Sequence, residues 1–462
     1  MKQDGIVSCV KSCRFTKVDE SPIKQRIIPA YGAAGLGRVA VEVTLQLYLF
    51  DFYTRILGLD PILAGLAFAV AIFWDALSDL IVSAGLFAAR KRGIAYTSVL
   101  LVGAALLALT TVFLFSPPEG GSTTYLFFHL LIAYVLVNTG MTLLDLPQTS
   151  LSAELSRKAD ERNKLLASRM GFGIFGLAVG SALPGIYLAM QGGEAGGASL
   201  YDSRRVSAWM LALIVLITGT VTGLCLKPRE RSTAKAPQSK LPSWNEVKGI
   251  FQDQGFVQLL IAGVIAAVGR TVNAALALMY YRFVLELSEG QVTQIILPVF
   301  TLSIVFSIPL WIAVSKCYGK RTPAYVAVGG LGVMGIIAYP ILPEGLIWPP
   351  LIISVIGGVL SGAVFLVDSM ITDLIDADEA ATGHRKESLY FAVWKSGLKV
   401  ARALAFVAIG VGLEIIGLDL SVDTVSPAMQ WGIILLFGIL VGLCFVVAGA
   451  FIRRAQVPEP VA

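Results

Sequence analysis

Twelve stretches of about twenty apolar residues run through the 462-residue sequence, each bounded by charge, proline or glycine. Nothing else in the chain constrains its fold as strongly. A hydrocarbon layer about 30 Å thick is crossed by about 20 residues of helix, and inside it each backbone N–H and C=O must be satisfied within the segment. The runs fall near 27–50, 61–87, 95–115, 125–147, 168–190, 207–227, 255–284, 292–314, 323–342, 348–372, 390–416 and 428–452. They are long and continuous, whereas strands of a membrane barrel are about 10 residues of alternating polarity. With 56% apolar and 15% charged residues, the expected fold class is an all-α membrane protein of twelve transmembrane helices.

Lys and Arg orient the spans. With both termini inside, the inner segments hold 26 basic residues and the outer loops three, Arg55, Arg204 and Arg205. The expectation is a multi-pass protein of the cell (inner) membrane with both termini cytoplasmic. The polar stretch Met1 to Arg26 lacks the short apolar core of a secretory signal, so it reads as a cytoplasmic tail. The net charge of +5 follows from this topology and from anionic inner-leaflet lipid, and it gives no support for a nucleic-acid partner.

The longest polar interior segment, KPRERSTAKAPQSKLPSWNEVK from Lys227 to Lys248, has six runs on either side. It reads as a linker, 228–250, between six-helix bundles at 27–227 and 251–454, with tails at 1–26 and 455–462. Transporters built from two such halves hold their solute at mid-membrane between them.

Charge inside a bilayer is costly unless it meets a partner or a wet cavity, so each buried charge is a functional suspect. The suspects are Glu42, Asp75, Asp79, Asp145, Arg169, Arg270, Asp368, Lys399 and Arg402, with Arg38 and Glu414 nearer the ends of their spans. In FWDALSDL, Phe73 to Leu80, Asp75 and Asp79 share one helix face, with Asp75 about 21 Å along the helix from Pro61. Two carboxylates that close resist double ionisation and call for a proton or a monovalent cation; a cap or a salt bridge to a neighbouring helix is the other reading. Ser78 adds an oxygen beside them. In the fourth run Thr142 and Asp145 lie three apart, ahead of Pro147. Lys399 has no acidic neighbour three or four residues away, so a carboxylate on another helix is expected to answer it.

Enzyme signatures are absent. His129 and His384 are the only histidines, the five cysteines (Cys9, Cys13, Cys225, Cys317 and Cys444) form no metal-binding pattern, and no phosphate-binding glycine loop follows a strand. No cofactor is expected beyond a coupling ion, and the energy source is a gradient.

YGAAGLGR (Tyr31 to Arg38), LYLFDFYTRILGLDPILAGLAF (Leu47 to Phe68), WDALSD (Trp74 to Asp79), LLDLPQTSLSAELSRKADERNKLLASR (Leu143 to Arg169) and MITDLIDADEAATGHRKES (Met370 to Ser388) together resemble the glycoside/pentoside/hexuronide:cation symporters. These form the melibiose-permease branch of the major facilitator superfamily. The resemblance implies that superfamily's fold, with Asp75 and Asp79 as cation-site carboxylates, Thr142 as a hydroxyl ligand and Ser78 where an Asn is usual. It also implies Asp145 as a solute-binding carboxylate, Arg169 as an arginine near the site, and Lys399 as a lysine beside the cation site. Departures concern the solute. Val39 replaces a second sugar-binding acid, Thr149 the tryptophan that stacks on sugar, and Leu80 the usual proline, while RKRGIAY, Arg90 to Tyr96, lacks the Pro-Trp that normally follows. The sodium-dependent lysophospholipid symporters also lack the helix-1 acid, and LQLYLFD, Leu45 to Asp51, is similar to their first helix.

The expected function is therefore symport of an organic solute with Na+, or H+ as second choice. A glycoside-like solute leads and a lysolipid or other amphiphile is the alternative; a passive lipid facilitator or a non-transporting sensor is the reading from another class. Expected partners are the solute, the coupling cation and the bilayer.

Overall fold

A computed structural model describes residues 25–118, 120–156, 159–191, 199–227, 248–384, 386–417 and 425–457, and among them every regular element is helical. Helix α1, Ile27–Thr44, runs on through π-helical turns at Leu45–Leu49 and Phe52–Ile56. Helix α2, Pro61–Lys91, starts where the Asp60 carboxylate accepts from the N–H groups of Ile62 and Leu63 and proline occupies the first helical position. Then come α3, Tyr96–Leu114, α4, Thr123–Leu155, α5, Ala159–Met190, and α6, Leu200–Leu226. Helix α4 passes through Pro147, where the sequence had suggested its end.

After the linker, α7 is Gln254–Phe283, capped by Asp253. A Ser288–Gln291 capping box opens the turn Glu289–Gln291, which leads through a π turn, Val292–Ile296, into α8, Leu297–Tyr318. Helix α9 is Arg321–Ala338, α10 Trp348–Ser361, α11 Phe365–Thr382 and α12 Glu387–Ile416. Helix α13, Pro427–Ile434, joins α14, Val441–Arg454, through a π stretch at Leu435–Leu440. Two predicted spans thus come as paired helices.

Ten helical stretches among the described residues are long and apolar enough to cross a membrane. The first and eleventh predicted runs form helices as well, α1 and α12, but stand outside that set; they carry Arg38 and Glu42, and Lys395, Lys399 and Arg402. Residues 1–24, 228–247 and 458–462, which hold most of the predicted tails and linker, lie outside the described residues.

Before the linker, α1 packs on α5 and α6, α3 on α4 and α6, and α2 on α4; after it, α14 packs on α9 and α7, α8 on α10, and α12 on α7. The main contact across the linker is α2 against α12. Glycine makes it possible. A side chain at Gly65 would meet the Phe406 carbonyl, and one at Gly410 the Pro61 carbonyl. Beside them the Phe68 and Phe406 rings stack at 4.3 Å, with Phe50 and Tyr134 packed around Phe68. This approach brings one face of α12 against the carboxylate face of α2.

Candidate ion and solute site

The 3.6-residue period puts Asp75 and Asp79 on one face of α2, and α12 brings Lys399 to both. Lys399 Nζ lies 2.5 Å from Asp79 Oδ2, 2.9 Å from Asp75 Oδ2 and 3.2 Å from the Asp75 carbonyl oxygen. Three oxygens answer the three protons of the ammonium. Arg402, one turn along α12, reaches within 3.6 Å of Asp75 Oδ2. From α4 the Thr142 hydroxyl donates to Asp79 Oδ1 at 3.0 Å. Ser78 is buried among these residues, but its hydroxyl donates back to the Asp75 carbonyl. Two carboxylates facing two cations make the cluster neutral, and a cation seated there is held by oxygens from two positions of one helix.

Asp145, Thr149 and Arg169 gather in a second cluster. Arg169 pairs with Asp145 through Nη2 and donates from Nη1 to the Thr149 hydroxyl at 2.7 Å. The Thr149 hydroxyl in turn donates to the Asp145 carbonyl at 3.0 Å. Arg38 from α1 joins, with Nε 3.0 Å from Asp145 Oδ1 and Nη1 donating to Glu42 at 2.8 Å. These groups are partly exposed, so the cluster offers carboxylate and guanidinium together to anything that enters.

A cavity of about 350 Å³ lies beside the lysine, lined by polar residues from α7 and α12 and by Leu45, Ile72, Tyr134 and Phe406. Its volume falls in the range of small-molecule sites. His129 takes no part, its Nδ1 lying 2.9 Å from the Tyr53 hydroxyl near the end of the span.

A third cluster was not foreseen. The sequence reading places Arg55 and Arg204 in outer loops, where they would be hydrated. The structure instead puts Arg55 in the π turn after α1 and Arg204 in α6, both buried. Arg55 grips Asp51 with two bonds, 2.6 and 2.7 Å, and donates to Glu289 at 2.9 Å. Arg204 also pairs with Glu289 and packs its guanidinium on the Tyr48 ring at 4.4 Å. Glu289 comes from beyond the linker, so this cluster joins the two groups of helices at one end. The available signal was the four-residue spacing of Asp51 and Arg55; nothing local pointed to Glu289.

The chain is similar to known transporters. An uncharacterised symporter of Bacillus subtilis, YjmB, is 23% identical over 396 residues, covering 84% of this chain and 83% of that protein. The sodium-dependent lysophosphatidylcholine symporter 1 of Mus musculus is 22% identical over 363 residues, 73% of this chain and 66% of that one. Among solved structures, a bacterial homologue of the human lysosomal transporter Spinster superposes with a TM-score of 0.67 at 14% identity, covering 93% of this chain and 96% of that one, which speaks for the fold. The profile of the MFS/sugar transport protein family matches residues 30–459, and the chain, a multi-pass helical membrane transporter, belongs to that family.

Proposed function

We propose that this transporter is a cation-coupled symporter that moves an organic solute by alternating access between helices 27–227 and 251–454, with Na+ as the coupling ion ahead of H+. One observation carries the reading. The Lys399 ammonium sits among three oxygens of Asp75 and Asp79, on the opposite side of the α2–α12 contact from its own helix group. A monovalent cation that takes those oxygens displaces the lysine and releases a tie between the groups, so ion binding and helix movement become one event. The Thr142 hydroxyl completes the oxygen set, and Ser78 holds the Asp75 carbonyl that belongs to it. The sodium dependence of the mouse relative supports Na+. Retention of carboxylates, hydroxyl and lysine together favours coupled transport over passive lipid facilitation.

The 26-to-3 basic asymmetry supports a cell-membrane protein with cytoplasmic termini, which puts the Asp51–Arg55–Arg204–Glu289 end outside. The Asp145–Thr149–Arg169 cluster serves the solute, whose hydroxyls or charged head a carboxylate and guanidinium can hold. A glycoside-like solute fits that polar cluster; the apolar cavity wall and the mouse relative favour a lysolipid as the second reading.

Purified protein tests the ion site without knowledge of the solute. Na+ in place of choline should raise the melting temperature, since a ligand of the folded state stabilises it by mass action. Asp75→Asn and Asp79→Asn should each remove that shift. A full Na+ shift in both variants would place the ion elsewhere.

A further inference from the structure

The cavity is electrically one-sided. Lys395, Leu398, Lys399, Arg402 and Phe406 follow the helical period along one face of α12, and Arg270 and Thr271 face them from α7. Four basic side chains line the space and Glu42 is the one acid among the lining residues; its carboxylate is taken by Arg38 at 2.8 Å. Lys399 and Arg402 are answered by Asp75 and Asp79. Arg270 and Lys395 are different. Both are exposed, and among the described residues neither has a carboxylate within ion-pair distance. Asp368 of α11 acts on them only at longer range and accepts from the Trp394 indole at 3.0 Å. Arg270 lies about 24 Å along α7 from Gln254, at mid-depth of a 30-residue helix. A guanidinium and an ammonium held at that depth toward a small cavity, with no carboxylate in ion-pair contact and Asp368 acting only from farther off, call for an anion.

We propose that Arg270 and Lys395 form an oxyanion subsite, and that the solute of this transporter is an organic acid: a carboxylate, phosphate or sulfate on a body that packs against Ile72, Tyr134 and Phe406. The proposal rests on the symport reading and names its solute class. Arg270 supplies the planar fork that pairs with two oxygens of such a group, and Lys395 a point charge beside it. Coupling follows from the same geometry. When a cation takes the oxygens of Asp75 and Asp79, the freed Lys399 ammonium adds its charge to this face, so the cation raises the affinity for the anion and, by linkage, the anion raises that for the cation.

The test is a thermal-shift titration of the full chain in Na+ and in choline medium with matched ligands: D-glucuronate against D-glucose, oleoyl lysophosphatidate against monooleoylglycerol, and inorganic phosphate alone. The expected result is stabilisation by the anionic member of at least one pair and not by its neutral partner. Affinity should be greater in Na+ and fall at least about tenfold in the double variant Arg270→Gln, Lys395→Gln. A response to glucuronate assigns the subsite to soluble sugar acids, and one to lysophosphatidate to acidic lipids. The double variant should keep the Na+ shift of the unaltered protein, which shows that it folds and that its ion site is intact. Equal stabilisation by the neutral partners, no stabilisation by any anion, or an anion affinity unchanged in the double variant overturns the proposal. Loss of the Na+ shift in the unaltered protein instead sinks the ion-site reading, and the choline arm still reports on the anion.

Discussion

Two charged clusters tie the helices before residue 228 to those after residue 247, and they are built differently. At the end of α1 the side chains of Asp51, Arg204 and Glu289 are 0–3% exposed and Arg55 is 7% exposed, with bidentate bonds and an aromatic ring against one guanidinium. Along α2 the Asp75, Lys399 and Asp79 side chains are 13, 16 and 38% exposed beside a cavity, and the cation is an ammonium on a flexible stem. Burial decides what an ion pair is for. Sealed from water, a pair resists opening because each partner left alone is a bare charge in a low dielectric. Half-hydrated, the same charges can change partners, and an ammonium is a close stand-in for a monovalent metal ion. On the proposed mechanism the first cluster is a latch at one end of the transport path and the second an exchange site.

The largest effect expected from breaking this contrast is on transport. Asp75→Asn or Asp79→Asn should abolish solute accumulation driven by a Na+ gradient in vesicles while the protein still purifies as a folded species. A cation crossing 100 mV supplies about 2.3 kcal/mol, which is lost with the ion. Variants that accumulate solute normally on Na+ would mean the α2 cluster is merely structural.

The latch should fail differently. Glu289→Ala leaves two buried guanidiniums, Arg55 and Arg204, to the single carboxylate of Asp51 and should cost about 3–5 kcal/mol in folding stability, read from denaturation of the purified protein. Asp79→Asn should cost far less, because its site is open to water. Equal losses at the two positions would erase the distinction between them.

Lys399→Ala sharpens the exchange reading. Removal of the resident ammonium should leave Na+ binding intact or tighter in a direct titration, yet sever it from solute movement in a flux assay. Weaker Na+ binding would make the lysine a support of the ion site and not its competitor. The smallest effect is expected at Thr142→Val, which deletes one hydroxyl of Asp79's shell: Na+ affinity should fall about fivefold, about 1 kcal/mol for one hydrogen bond. No change in affinity there would exclude α4 from the ion site.

Asp75, Asp79, Thr142 and Lys399 could be singled out from sequence because charge in an apolar run is conspicuous, and the structure brings them into contact. The prediction that Lys399 needs a carboxylate from another helix followed from its own helix having none, but the identity of that carboxylate did not. Arg55 and Arg204 show the opposite case. At the ends of apolar runs a charge looks hydrated whether or not another helix covers it, and only the approach of Glu289, 234 residues from Arg55, turns these residues into a buried cluster. Arg270 was visible as a charge in a span; its lack of a partner was not, because that depends on what α11 and α12 bring near it.

What the sequence determined by itself is local: the helices, whose lengths answer to bilayer thickness; the basic asymmetry from which their orientation is expected; and the faces on which Asp75, Asp79 and Lys399 lie, set by the 3.6-residue period. Which charge meets which was decided by tertiary packing. Lys399 and Asp79 stand 320 residues apart and Thr142 and Asp79 63; α2 packing on α4 brings Thr142 in, and Lys399 arrives because α2 and α12 approach at Gly65 and Gly410, where the absence of a side chain lets backbone lie against backbone.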